Sequence, residues 1–170
     1  GDDDNSDDES ENDDDDDDSD EDGDDDYVRD HIDELDHVKL DVMKKLRRQK
    51  VFFKSDVKKY DLVHHICKNV NEGYFSDARF DYLVTFDPTA LGSKANSPDF
   101  LGRVPLHLCV KNKASFLLLF NAGMDHFPEN FGFLFHKDSS KETETPYQLV
   151  CKFWSKRSIT KLLSLIHISE

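Results

Sequence analysis

The three cysteines of the chain are evenly spaced, at positions 67, 109 and 151, and this spacing constrains the fold more than any other feature. His-Ile precedes Cys67, His-Leu precedes Cys109 and Leu-Val precedes Cys151, so the three settings are related. A fixed period of this size is typical of proteins built from stacked copies of one small supersecondary unit. The interval of 42 residues therefore predicts a repeat architecture, and such proteins usually bind a partner rather than transform a substrate.

Charge divides the chain into two very different parts. The formal net charge is -15, but residues 1–26 hold 19 acidic residues and no basic ones, which leaves 18 acids and 22 bases in residues 27–170. A segment with so little apolar surface cannot offset the entropy that ordering would remove. We therefore predict a disordered acidic tail at residues 1–26, joined to a mildly basic body.

The cysteine count and the hydropathy pattern indicate an intracellular protein, cytoplasmic or nuclear. The sequence contains no run of about 18 apolar residues, so no transmembrane helix is predicted. The N-terminus lacks a signal-peptide pattern. Three cysteines are too few, and odd in number, for a secreted disulfide framework. Equivalent residues of stacked helices lie about 8–10 Å apart, whereas a disulfide needs Cα atoms within about 7 Å, so all three cysteines are predicted to be reduced and buried.

Apolar spacing near 3.6 residues predicts helices along the whole body. The lead-in, residues 27–54, reads as one helix that carries a basic cluster. Val38-Lys39-Leu40-Asp41-Val42 also alternates with period 2, so a break or a short strand there is the alternative. Ser55-Asp56 predicts the start of a helix that ends at Asn71-Glu72-Gly73, and Ser76-Asp77 predicts a second that ends at Asp87-Pro88.

The next two predicted helix pairs have clearer start signals. Pro105 stands at the first position of a helix, and a short second helix near Ser115–Asn121 is predicted to stop at Gly123. Thr145-Pro146 predicts a capped third start, followed by a helix that contains Ile159, Leu162 and Leu163.

These segments carry a family resemblance. Asp-Phe-Leu-Gly-Arg-Val-Pro-Leu-His-Leu-Cys at 99–109 resembles the ankyrin repeat pattern built around Thr-Pro-Leu-His-x-Ala, and Thr-Pro-Tyr-Gln-Leu-Val-Cys at 145–151 matches the same spacing. Leu118-Leu119 and Ala-Gly-Met-Asp at 122–125 are similar to later stations of that repeat, and His65-Ile-Cys67 is a weaker first copy. Residues 127–138 additionally resemble long-fingered ankyrin-like proteins of diatoms.

The resemblance covers about residues 55–163. It implies an all-α, ankyrin-like helical repeat solenoid with long inter-repeat loops, in three repeats at about 55–97, 98–139 and 140–163. The chain departs from the family, whose period is about 33 residues. Val104 stands where the family has a capping Thr, which should cost that helix about 1 kcal/mol. The last seven residues, 164–170, resemble translated sequencing adapter, so we predict no function for them.

Chemistry-bearing residues do not assemble into a recognisable catalytic or metal motif. His64 and Cys67 share a helix face, but a structural zinc site needs four such ligands and no partner pair follows; a core cysteine beside a solvent-facing His64 is the alternative. His107 occupies the structural histidine position of the family. Buried cysteines disfavour the thiolate, and phosphate-loop and dinucleotide motifs are absent. We therefore predict no catalytic residue, no metal, no cofactor and no small-molecule substrate.

A dense basic cluster spans the end of the lead-in and the residues that follow it, from Lys44 to Lys59. It has three interpretations: a solvated helix face, a site for phosphates or nuclear import, or an internal partner of the acidic tail. As a site for polyanions or the tail, it would comprise Lys44, Lys45, Arg47, Arg48, Lys50, Lys54, Lys58 and Lys59.

A protein-binding module without catalytic activity is the function that the sequence favours; a nucleic-acid- or histone-associated protein is the alternative, and no membrane contact is expected. Phe131-Gly-Phe-Leu-Phe135 alternates like one arm of a hairpin, so its phenylalanines would either form an exposed patch or pack on neighbouring fingers. The partner is unidentified. The predicted partner-binding residues lie on the projecting loops and are Arg103, Asn130, Phe131, Phe133, Phe135 and Thr143.

Overall fold

A computed structural model describes the backbone of residues 24–70, 74–139 and 143–167, and the side chains of residues 34–166 within those ranges. Regular structure in these ranges is entirely helical, without a β-strand, which confirms the all-α prediction. The α-helices are α1 Asp24–Arg48, α2 Lys54–Lys59, α3 Leu62–Asn69, α4 Asp77–Phe86, α5 Pro105–Leu108, α6 Lys113–His126, α7 Pro146–Phe153 and α8 Lys156–His167, with 3₁₀ helices at Pro88–Gly92, Pro98–Phe100 and Pro128–Phe133.

The chain divides into two compact units, residues 1–35 and residues 36–170. Within the first unit the described part is the start of α1, which begins at Asp24 rather than at the predicted residue 27. Residues 24–26 of the predicted acidic tail are therefore helical, and residues 1–23 lie outside the described part of the chain. Everything that follows concerns the second unit.

The helix predicted from Ser55 is in fact two helices, α2 and α3. The carboxylate of Asp56 accepts the backbone N–H of Phe53 at 2.7 Å, so α2 begins one residue earlier than the predicted cap. The break falls at Asp61, whose φ of 50° lies in the left-handed region that aspartate tolerates better than most residues. The predicted end of this helix, residues 71–73, lies outside the described ranges.

Three helix pairs follow, α3 with α4, α5 with α6 and α7 with α8, and the members of each pair are in contact. The first helices also contact one another in order, α3 with α5 and α5 with α7. Local signals place most of the starts: Ser76 caps α4, Pro105 opens α5, and Thr145 caps α7 through a reciprocal bond with Gln148. These predicted starts are confirmed.

Gly123 does not stop a helix, and this prediction was wrong. α6 continues through it to His126, because Gly123 serves close packing rather than capping. A Cβ at Gly123 would lie 2.9 Å from the Cα of Gly132, in the loop that folds back on α6. Gly132 itself has a φ of 55°, and a Cβ there would lie 2.8 Å from the carbonyl oxygen of Phe120. Two glycines therefore let two backbones approach each other directly.

One hydrophobic core runs through all three helix pairs. Its largest fully buried apolar side chains come from α2, α3, α4, α6, α7 and α8 and from the loops between them. They are Val57, Val63, Phe80, Leu83, Val104, Phe116, Phe120, Leu134, Val150 and Leu162.

The cysteine period is not the period of the fold. The residues that precede the first helix of each pair are Asp61, Val104 and Thr145, which are 43 and then 41 positions apart. Counted from these starts, Cys67 and Cys151 share a position that Val110 fills in the middle pair, and Cys109 stands one place earlier.

All three cysteines are free, as predicted, but they do not share one environment. Cys67 and Cys109 are fully buried, and burial raises the pKa of the Cys67 thiol well above its usual value, with a further contribution from the nearby Cys109 thiol. Cys151 is exposed, so the prediction of burial was wrong for it. Cys67 lies near Cys109 of the next helix pair, whereas no described helix follows α8 to cover Cys151.

Histidines link successive helix pairs. The Nε2–H of His64 donates to the carbonyl of Arg103 at 2.9 Å, and the Nε2–H of His107 donates to the carbonyl of Glu144 at 3.1 Å. Both side chains are buried, so the interpretation of His64 as solvent-facing was wrong; the neighbouring His65 is the exposed one. Burial lowers the pKa of both His64 and His107, opposed by these bonds to backbone carbonyls.

A candidate protein-binding surface

The loop between α6 and α7 holds five of the six residues predicted to bind a partner, all except Arg103. It contains the 3₁₀ helix Pro128–Phe133 and a following turn instead of the predicted hairpin arm. Phe131 and Phe133 both have positive φ, 49° and 67°. Left-handed backbone bends the segment sharply, which explains why the alternating sequence does not form an extended strand.

Three consecutive residues anchor this loop to the body. Gly132 packs against α6, as described above. The ring of Phe133 covers Gly92, where a Cβ would lie 2.4 Å from the Phe133 ring. Leu134 is fully buried in the core, and its carbonyl accepts the backbone N–H of Tyr147 at 3.0 Å. The loop therefore packs against the 3₁₀ helix Pro88–Gly92 and is hydrogen-bonded to α7.

Two phenylalanines on the same loop face solvent. Phe131 is 47% exposed and Phe135 is 49% exposed, and their ring centroids lie 6.0 Å apart. Tyr147, at the start of α7, continues the series, with its ring 5.4 Å from that of Phe135. We call Phe131, Phe135 and Tyr147 the aromatic row.

Tyr147 was not among the predicted site residues. The sequence presents it as the second residue of a helix, with no sign that a loop from the preceding pair would reach it. A hydrogen bond with the Cys151 side chain, four residues along α7, raises the pKa of Tyr147. The tyrosine presents both an apolar ring and a hydroxyl at the surface.

The backbone strain of the loop supports a role for it. Bulky residues with positive φ are rare, and such outliers cost on the order of 1–3 kcal/mol each. Phe131 and Phe133 both carry that cost. With this backbone, the Phe131 ring faces solvent and the Phe133 ring lies against Gly92. Strain of this kind concentrates at sites where it is part of a function.

The other predicted partner-binding residues do not join the aromatic row. Arg103 is half-buried, and its Nε–H donates to the carboxylate of Asp138 at 3.2 Å. Asn130 is exposed and bonds to the neighbouring Glu129, while Thr143 is exposed beside the undescribed residues 140–142. The structure therefore brings together Phe131 and Phe135 from the predicted set and directs Phe133 inward.

The predicted basic cluster is dispersed as well. Three of its members, Lys44, Arg47 and Arg48, line one groove between α1 and α4. Lys58 is engaged elsewhere, donating to the hydroxyl of Thr89 at 3.1 Å. The remaining four are exposed outside that groove: Lys45, Lys50, Lys54 and Lys59.

The described ranges contain neither a candidate metal site nor a candidate membrane-spanning helix. Among those residues no group of three histidine, cysteine or acidic side chains is placed to hold a metal ion. None of the helices in the same ranges combines the length and apolar character that crossing a bilayer requires. Comparison of the chain with known protein families, curated proteins and solved structures finds no match.

Proposed function

We propose that this chain is an ankyrin-like helical repeat module that binds a partner protein through the aromatic row. The observation that carries the proposal is the row itself: two phenylalanines, each about half exposed, in contact with each other and with a tyrosine. Monomeric proteins rarely leave adjacent large aromatic side chains in water unless they form an interaction site. Aromatic side chains also supply most of the hot spots at protein interfaces.

The repeat character of the proposal rests on the junctions between helix pairs. Consecutive first helices touch, and a histidine three residues after a helix start donates to the loop of the next pair at two successive junctions. Stacked units of this kind give a rigid scaffold whose loops are free to vary. The anchored loop then presents the aromatic row in a fixed geometry, which lowers the entropy lost on binding.

The test compares the wild-type chain with a double variant, Phe131→Ser with Phe135→Ser, in quantitative affinity capture followed by titration of each captured protein. Phe53→Ser is the matched control, because Phe53 is equally exposed, at 56%, but lies at the start of α2. We expect at least one protein that binds the wild type and the control and whose Kd rises about tenfold or more in the double variant. A double variant that retains every partner with unchanged affinity would contradict the proposal.

A further inference from the structure

The groove between α1 and α4 collects positive charge from one helix. It has a volume of about 630 Å³ and is lined by Asp41, Lys44, Arg47 and Arg48 of α1 and by Tyr82 of α4. All of these lie in the second compact unit of the chain. Three cations and one carboxylate leave the groove with a local excess of positive charge.

A buried polar cluster holds the two walls of this groove together. Asp36 of α1 accepts a hydrogen bond from the hydroxyl of Ser76, which caps α4, and forms an ion pair with Arg79. The pKa of Tyr74 is raised, mainly by burial and to a smaller extent by a hydrogen bond with Asp36. Because these contacts fix α1 against the N-terminal end of α4, the groove is preformed.

The arginines are placed to receive an anion. The guanidinium of Arg47 lies over the ring of Phe86, 4.2 Å from its centroid, so the stack fixes its plane and leaves N–H donors at its edge. Neither Arg47 nor Arg48 forms an ion pair with a carboxylate in the described ranges, whereas Lys44 has Asp41 at 3.8 Å. A planar guanidinium held in one orientation favours a bidentate partner such as a phosphate.

Tyr82 forms the α4 wall of the groove. Its ring stacks beside Phe86, with centroids 6.4 Å apart, and so continues the aromatic surface on which the Arg47 guanidinium lies. Its hydroxyl is excluded from solvent, so the donors that can reach an anion in the groove are those of the α1 side chains.

The surroundings of the groove limit what kind of anion fits. A second groove of about 510 Å³, between α4 and α6, is lined in part by Asp77, Asp81 and Asp125. A nucleic-acid backbone carries one charge every few ångströms along its length, so a strand that continued across α4 would meet these carboxylates. A single phosphate group meets only the basic groove.

We propose that the groove between α1 and α4 binds a phosphorylated side chain of a partner protein. Arg47 and Arg48 donate to the phosphate oxygens, and Lys44 adds charge. The site is distinct from the aromatic row, so it stands or falls separately from the function proposed above.

The experiment is run at an ionic strength of about 0.15 M, as in cells. It probes the immobilised full chain with two peptide libraries. One has a fixed central phosphoserine and the other is its dephosphorylated twin; a phosphotyrosine pair is run alongside. We expect the phosphorylated form to be retained about tenfold or more over its twin, because a charge-assisted bidentate contact is roughly twice as strong as a neutral one. Selected peptides are then titrated against the variants.

Arg48→Gln and Arg47→Gln should each weaken the selected peptide about fivefold to tenfold, because each removes donors to the phosphate. Lys54→Gln is the matched control, since it removes the same charge from an exposed residue outside the groove. The thermal midpoint of each variant verifies that the fold is intact, and the two arginines are changed separately so that one variant still tests the site if the other disturbs α1.

Two outcomes would overturn the proposal. One is the absence of phosphate-dependent retention with peptide up to about 1 mM, a concentration that detects millimolar Kd values. The other is an equal effect of Lys54→Gln and Arg48→Gln together with displacement by a single-stranded DNA 12-mer, which would identify a diffuse polyanion surface instead.

Discussion

The two junctions between helix pairs have the same geometry but are secured by different chemistry. Both use a buried histidine that donates to a carbonyl of the next loop. At the first junction, the carboxylate of Asp61 also accepts the backbone N–H groups of Asn96 and Ser97 at 2.9 and 2.8 Å. At the second, the equivalent residue is Val104, which caps nothing with its side chain.

At the second junction, side chains away from the start of α5 provide contacts in place of a carboxylate like that of Asp61. The indole N–H of Trp154 donates to the carbonyl of Val110 at 2.7 Å, and its ring lies edge-on to Phe116, with centroids 5.0 Å apart. Arg103 adds a half-exposed ion pair with Asp138. The comparison shows that one backbone arrangement tolerates either a buried carboxylate or aromatic packing, so a single substitution should weaken the two junctions by very different amounts.

The largest effect is expected at Asp61. Asp61→Ala leaves the N–H groups of Asn96 and Ser97 without their acceptor inside the protein, and should lower the free energy of unfolding by about 2–4 kcal/mol. Asp61→Asn keeps one acceptor and the tolerance for positive φ, so its cost should be about half as large.

The junction itself can be monitored through Cys67 and Cys109, which are buried beside it. In a Cys151→Ser background, the rate at which a thiol reagent labels these two cysteines in the native protein reports opening of the first junction. Asp61→Ala should raise that rate at least tenfold. An unchanged rate and an unchanged denaturant midpoint would show that the carboxylate is dispensable and that the two junctions are equivalent.

An intermediate effect is expected on acidification. Burial lowers the folded-state pKa of His64 and His107 below the usual value of 6.5, so the unfolded chain binds protons more readily. The contribution of these neutral histidines to the free energy of unfolding is therefore fully present above about pH 6.5. It falls as the pH drops below that value, by at most about 1.4 kcal/mol per pH unit for each histidine, until the folded-state pKa is reached.

Urea unfolding between pH 5 and 8 measures this loss, and a His107→Gln variant isolates one junction. Because the glutamine does not titrate, the slope of stability against pH should decrease relative to the wild type, and the remaining slope should contain the contribution of His64. A wild-type stability that is flat from pH 7.5 to 5.5 would rule out buried neutral histidines at the junctions.

The smallest effect is expected from restoring the missing cap. Val104→Thr places a hydroxyl where the third pair has Thr145, and should stabilise the protein by about 0.5–1 kcal/mol, reduced by the cost of burying that hydroxyl. The change is measured as a shift of the denaturant midpoint, with Thr145→Val as the reciprocal control that should destabilise by a similar amount. Stabilisation by both variants, or by neither, would remove the cap as a difference between these two helix starts.

Local signals predicted much of the secondary structure. The caps at Ser76 and Thr145 and the prolines at 105 and 146 act on groups no more than a few residues away, so the sequence alone locates those helix starts. The break at Asp61 was missed, because no proline or glycine marks it and its left-handed backbone serves contacts with residues more than 30 positions away.

The candidate site was only partly predictable for the same reason. The cluster of phenylalanines marked the right loop, but alternation suggested an extended arm in which Phe131, Phe133 and Phe135 would share one face. Left-handed backbone at Phe131 and Phe133 instead turns one ring inward, and the loop meets Tyr147 in the following helix pair. Neither outcome is encoded within the segment itself.

By itself, the sequence determined that the described chain is helical and where most helices begin, because capping and hydrophobic periodicity act within one or two turns. The tertiary structure decided which positions of the three helix pairs are equivalent. The cysteine period aligned His65 with His107, whereas the junctions use His64, because equivalence is set by distance from the helix start and by the carbonyl that each histidine reaches. It also decided the role of Gly123, which depends on a backbone brought close by the fold. Contacts between residues distant in the chain have no signature in local spacing, and here they select the buried histidine, the exposed cysteine and the aromatic row.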